Sequence, residues 1–379
     1  MDNTLPQTNP TPQPQNNQPV MGISTLPKFK LLALGIMIVF FIIVIAVTLF
    51  FTRSQTKPQT LTPSPSPNTM TGLQIAEKTA QFLTKAQDAD GRFALRYQCF
   101  LDRKDCLVSP TITPSSQIIV ALNNLSKQTS NNTYKQMADR ATEAYLSECQ
   151  QDAKTCGRNH AGFRDYFKET QDPKFKEALL KISPDLMAKR SLFDRLASSD
   201  VNRLASLYEV TGDQKYLELI VEITDQLMAG GADSDPRNTI LYTDSGFPVR
   251  LHDLMALDFT FLPAYRVTQD PKYLEYVKTY LTKAKLAQNI GSFKESNNLS
   301  ELIYGMDAAL QVGSADNFQA VAQTLINDLW DNPNNVKYNG DFGFLQYYGE
   351  EKGNAKATIT NAWFITILLQ LKDQTFQIK

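Results

Sequence analysis

Three carboxylates stand out by where they fall in the chain. Asp253 ends the run Phe247-Pro-Val-Arg250-Leu-His252-Asp253 and opens an apolar stretch, and Glu301 follows Asn297-Asn-Leu-Ser300 and opens another. Asp258 lies inside Leu254–Leu262, where its neighbours are nearly all apolar, so it must find a partner or shift its pKa. Each also has a structural role open to it. Asp253 and Glu301 suit a helix cap or the positive end of a helix dipole, and Asp258 suits a pair with an arginine across the fold. Other chemistries are poorly served. The chain has no phosphate-cradling Gly-Lys-Ser/Thr loop, no dinucleotide fingerprint and no His-x-x-x-His pair. With two histidines, His160 and His252, and no nucleophile elbow, a Ser-His-Asp relay is unattractive. No cofactor is expected.

The four cysteines form two matching units, Cys99-x6-Cys106 and Cys149-x6-Cys156, each reading Cys-x-x-Asp-x-Lys-x-Cys. Two short, equal loops indicate disulfides formed in an oxidising compartment. A zinc site is the rival reading, but the spacing exceeds that of a zinc knuckle and His160 and His252 are the only histidines to complete it, so no metal is expected.

The positioning elements begin with a membrane signal. Residues 1–27 are rich in Pro, Gln, Asn and Thr and predict a disordered tail. Leu31–Phe51 carries no charge and at 1.5 Å per residue reaches roughly 30 Å, the thickness of a hydrocarbon core. It is followed by Thr52-Arg53 and not by a small-residue cleavage site, so residues 28–53 predict an uncleaved single-pass anchor in the bilayer. Basic residues flank both ends and barely discriminate orientation. The cysteines place the N-terminus in the cytoplasm and the large domain outside. Residues 54–70, with Pro-Ser-Pro-Ser-Pro, form an extended spacer, and residues 71–379 form the folded domain. A net charge of -1 gives no pull towards nucleic acid. The oligomeric state is not legible.

The domain is repetitive. Thr170-Gln-Asp-Pro-Lys-Phe175, Thr211-Gly-Asp-Gln-Lys-Tyr216 and Thr268-Gln-Asp-Pro-Lys-Tyr273 share one turn, with weaker copies at 131–134 and 316–318. Asp is an N-cap and Pro sits at the first helical position, where no N–H is needed. Counting from the aromatic residue, positions 0, +4, +7 and +11 are apolar in all five copies, one stripe of an amphipathic helix. Pro184 predicts an early end to the second copy. Gln117–Leu125, Leu254–Val267 and Thr358–Leu371 are apolar nearly all round, as helices covered on both faces must be. Gly followed closely by Phe recurs at Gly91–Phe93, Gly162-Phe163, Gly246-Phe247, Gly291–Phe293 and Gly343-Phe344, predicting tight reversals between hairpins.

Five hairpins leave the first helix (71–87) and the last (357–371) unpaired. Pairing them supplies a sixth and closes a ring, giving an all-α (α/α)6 toroid behind one transmembrane helix. These hairpins, with the Asp90-Gly-Arg-Phe93 turn, resemble the α/α toroid of the six-hairpin glycosidase-like superfamily over residues 71–371. The resemblance implies a polysaccharide ligand and a cleft at the rim where loops enter the inner helices. It implies carboxylate catalysis by Asp253, Glu301 or Asp258, one as acid and one as base or nucleophile. Phe93, Tyr97, Phe247, Arg250, His252, Phe344 and Tyr347 are the expected sugar-binding side chains, though plugging the core is an equal use for the aromatic ones. A non-catalytic envelope scaffold on the same fold is the alternative.

Overall fold

The computed structural model of the chain describes residues 68–99, 106–112, 115–188, 199–230, 240–242, 248–295, 299–314, 318–346 and 354–379. The expected tail, the anchor at 31–51 and nearly all of the spacer lie outside these residues. Among the described residues no helix is long and apolar enough to cross a membrane.

The helices run in chain order from α1 (Gly72–Ala86) to α2 (Ser116–Thr129), α3 (Asn132–Gln151), α4 (Ala153–Arg158), α5 (His160–Thr170) and α6 (Pro173–Leu180). Then come α7 (Ser183–Ala188), α8 (Asp200–Thr211), α9 (Gln214–Met228), α10 (Leu251–Ala256) and α11 (Leu262–Thr268). The last are α12 (Pro271–Ala284), α13 (Ile290–Glu295), α14 (Leu299–Gln311), α15 (Phe318–Leu329) and α16 (Thr358–Gln370). An inner ring is made by α2, α5, α8, the continuous α10–α11 segment, α14 and α16, each packed on the next, with α16 returning to α2. Helices α3, α6–α7, α9, α12 and α15 form the outer layer, and α1 packs along α16 to complete it.

The repeated turn has a local cause. Thr170, Thr211 and Thr268 each donate a hydroxyl to the carbonyl four residues back and accept the N–H of the aspartate two residues on. Between them Gln171, Gly212 and Gln269 turn left-handed, at φ 57°, 69° and 57°. Asp172, Asp213 and Asp270 then cap α6, α9 and α12. The following lysine lies over its aromatic neighbour, as Lys215 does over Tyr216 at 4.8 Å. Every residue of the five predicted stripes is buried, none more than 8 % exposed. Pro184 does break its copy, since α6 stops at Leu180 and α7 restarts at Ser183.

The sixth hairpin closes the circle as expected. Strand β1 (Thr69–Thr71) pairs antiparallel with β7 (Thr375–Gln377), pinning the start of α1 to the end of α16. A Cβ on Gly72 would lie 2.4 Å from the Leu371 carbonyl oxygen, so only glycine lets the two backbones approach this closely.

Two corrections follow. The domain is not all-α: β2 (Arg96–Cys99) pairs with β3 (Cys106–Val108) and β6 (Asn354–Ala357), and β4 (Ile240–Tyr242) with β5 (Pro248–Arg250). These ribbons lie in the connections leading to inner helices, where too few residues recur for periodicity to reveal them. Gly162-Phe163 and Gly291–Phe293 are helical, in α5 and α13, while Gly91 does reverse the chain, at φ 94°. Cys149 and Cys156 are joined. Cys106 is also disulfide-bonded, and Cys99 lies opposite it in the β2–β3 register.

Candidate functional site

One mouth of the toroid is formed by the N-terminal ends of the inner helices and the long connections that enter them. A cavity of about 510 Å³ opens there. Its floor is aromatic. Phe259, Tyr304 and Trp363 meet edge-to-face with ring centroids 5.1, 5.3 and 5.7 Å apart. Its walls carry Arg158 from the end of α4, Arg203 from α8, and Gln117 and Asn202. Arg203 donates to the Gly157 carbonyl at 3.1 Å and pairs with the fully buried Asp200 at 3.3 Å. Arg158 is exposed and has no ion-pair partner among the described residues. His160 borders the same cavity, its Nδ1 2.8 Å from the Ser206 hydroxyl. Burial, then the charges of Arg203, Arg164 and Arg266, hold the imidazole pKa well below its usual value, so it is neutral. Among the described residues lining this cavity there is no carboxylate.

The three nominated acids do not converge. Asp253 faces outward into a recess of about 310 Å³ with Arg250, Tyr276 and Tyr280, against outer helix α12, and hydrogen-bonds the Tyr280 side chain. Glu301 does not line the loop-side cavity; it lies one turn before Tyr304. Burial, then the charges of Glu301 and Asp258, push the Tyr304 phenol up.

Asp258 lies at the opposite face of the aromatic floor, in a second cavity of about 460 Å³ towards the C-terminal ends of the inner helices. Its placement has a sequence cause. Pro263 has no N–H for the Phe259 carbonyl, and the ladder widens to a π turn over Leu257–Phe261, with the Leu262 N–H reaching the Leu257 carbonyl. The expected arginine partner is not what meets Asp258. Its neighbour is Asp307, and Gln311 Nε2 bridges them, 2.6 Å from Asp307 and 3.3 Å from Asp258. Gln370 Nε2 donates to the other Asp307 oxygen at 2.5 Å. Burial, then the charge of Asp307, raises the Asp258 pKa well above the usual carboxylate range; burial also raises that of Asp307. Burial of two carboxyls side by side therefore favours protonation of the pair. Asp307 was missed although it stands in Leu302–Leu310 as Asp258 does in its own stretch, a lone acid among apolar residues.

The aromatic expectations are corrected as well. Phe93 and Phe344 are wholly buried, and Phe344 stacks on Phe364 at 3.8 Å. Tyr97 is 7 % exposed and donates its hydroxyl to the Lys85 carbonyl. All three plug the core, because a ring between inner and outer layers gains more by burial than at the rim. Phe247, Tyr347 and the His252 side chain lie outside the described residues. The aromatic groups that do line the cavity, Phe259, Tyr304 and Trp363, sit within inner helices, where sequence alone reads them as core.

Among the described residues, six inner elements within six outer ones, closed by the pairing of α1 with α16, define an (α/α)6 toroid. Solved structures of that architecture match it. They include an unsaturated glucuronyl hydrolase from Streptococcus agalactiae (TM-score 0.52, 11% identity, 79% of this chain and 90% of that one). An unsaturated glucuronyl hydrolase specific for heparin matches with TM-score 0.53 and 12% identity over 79% and 96% of the two chains. The α-1,6-mannanase of Salegentibacter sp. HEL1_6 matches with TM-score 0.51 and 11% identity over 79% and 98%. No family model and no curated protein matches the sequence. At this identity the likeness establishes the fold.

Proposed function

We propose that this chain is a membrane-anchored, extracytoplasmic toroid that binds acidic polysaccharide in its loop-side cavity. The observation that carries the reading is the cavity itself: an edge-to-face aromatic floor for sugar rings and an exposed Arg158 with no ion-pair partner among the described residues, with no acid among its described lining. Guanidinium is suited to carboxylate and sulfate, which it meets with paired donors. Structural neighbours lend support, since one glucuronyl hydrolase was solved with the sugar dGlcA-GalNAc6S. The anchor and the outward orientation rest on the uncharged run Leu31–Phe51 and the oxidised cysteines.

In titrations against heparin and chondroitin oligosaccharides, Arg158→Ala and Tyr304→Ala should each weaken binding at least about tenfold, the loss of one charge-assisted bond or one buried aromatic contact. Equal affinity in both variants would end the proposal. Hydrolysis is the second reading, favoured by the enzymes that share the fold. It predicts release of reducing ends from the oligosaccharides, and turnover of that kind would replace simple binding.

The anchor is tested separately. The full chain should stay with membranes through high-salt and alkaline washes, and its release into the supernatant would remove the anchor from the proposal.

A further inference from the structure

The mouth opposite the loops opens on the second cavity, which shares Gln117, Ala161, Asn202, Phe259 and Trp363 with the loop-side one and differs in the rest of its lining. Trp363 and Phe259 form its floor from the other side, and Gln311 and Gln370 stand at its wall from the last turns of α14 and α16. Both glutamines are exposed, yet both are fixed. Each uses its Nε2 on the Asp258–Asp307 pair, which leaves its carbonyl oxygen as the remaining acceptor. Neither carbonyl oxygen accepts a hydrogen bond among the described residues. The arginines of the lining are already paired within the protein, Arg164 with Asp165 and Glu209 and Arg266 with Glu209, while Lys127 stands exposed with no ion-pair partner among the described residues.

Fixed amide acceptors beside an aromatic floor suit a ring that offers hydroxyl donors on its edges and C–H groups on its face. With both lining guanidiniums already engaged by carboxylates, the cavity suits a ring without ionised groups, and its volume falls in the range that ligand pockets occupy. We propose that this cavity is a second saccharide site, for a neutral pyranose, distinct from the loop-side cavity and independent of the reading proposed for it. Gln311 and Gln370 accept the ligand's hydroxyls. Asp258 and Asp307 touch no ligand: they are positioning residues that keep the two amides turned the right way. With the pair intact, an amide flip would set a carbonyl oxygen against a carboxylate.

The chain has two tryptophans, Trp330 and Trp363; only Trp363 borders the two cavities, so its signal reports sugar in either and the variants below assign it to one. The full chain in detergent micelles, labelled with 5-fluorotryptophan and assigned through Trp330→Phe, is titrated with maltotriose and α-1,6-mannotriose. At least one should move the Trp363 fluorine resonance in the unaltered chain and equally in Arg158→Ala, which alters only the loop side. Gln311→Ala and Gln370→Ala, both at exposed positions, should each raise Kd at least about tenfold. Asp307→Asn should raise it too, because the NH2 group that replaces one carboxylate oxygen opposes one of the two Nε2 donors, with an unchanged fluorine spectrum in the absence of sugar. No shift with either sugar would overturn the proposal. So would a shift that persists undiminished in both glutamine variants, which would place the sugar in the loop-side cavity.

Discussion

Lys356→Met should cost the folded toroid about 3–5 kcal/mol, the scale of breaking a buried ion pair on one side only. Lys356 is 0 % exposed, and its ammonium donates to Asp331 at 2.5 Å, Asp341 at 2.7 Å and Asn339 at 2.8 Å. Methionine fills the volume but leaves two buried carboxylates without a cation. Asp331 also accepts the backbone N–H groups of Lys337, Tyr338 and Asn339, so the damage spreads to the connection that leads into β6 and α16. Urea unfolding followed by circular dichroism measures the loss. Combining Lys356→Met with Asp331→Asn and Asp341→Asn should recover most of it, because the stranded charges are then gone. A cost below about 1 kcal/mol in the single variant would mean that water reaches the cluster. The same cluster fixes a pH response. Burial pushes the Asp331 pKa up, but the Lys356 charge and the N–H donors outweigh it and hold the pKa below its ordinary value. A carboxylate with a depressed pKa stabilises the fold above its unfolded pKa and loses that contribution as pH falls through the folded value, so this loss belongs below about pH 4.

Asp258→Asn should behave in the opposite sense. The Asp258 pKa is raised by burial and by Asp307, so its protonated form stabilises the fold fully below the unfolded pKa of about 3.9. That contribution is lost as pH rises through the folded value. Asparagine cannot ionise, and its amide can still donate to Asp307. Melting temperature measured between pH 4 and pH 9 should therefore show the variant gaining on the unaltered chain as pH rises. The gain at the alkaline end should be at least about 1 kcal/mol, the scale of one buried polar imbalance. A difference that stays constant across the range would show that burial does not hold Asp258 protonated.

Much of this molecule was legible because its causes are local. The Thr-x-Asp turn is made by hydrogen bonds spanning two to four residues, so the sequence that encodes it is contiguous. The five apolar stripes follow from helical period and from the need to bury one face. Even the closing hairpin could be inferred, since two unpaired terminal helices had only each other. The site was legible only in part. Asp258 announced itself as an acid in an apolar run, and the same signal at Asp307 could have been read.

Sequence by itself determined the helical hairpins, their turns and the ring that their number allows, because each depends on periodicity or on groups a few residues apart. Tertiary structure alone decided which side chains share a cavity. Arg158 and Trp363 are some two hundred residues apart in the chain yet line one cavity, and Asp253 faces away from it. Lys356 finds two aspartates that no spacing rule connects to it. Whether a ring or a charge meets ligand, core or counter-ion depends on the rotation of each helix about its axis. That rotation is set by packing against neighbours remote in sequence.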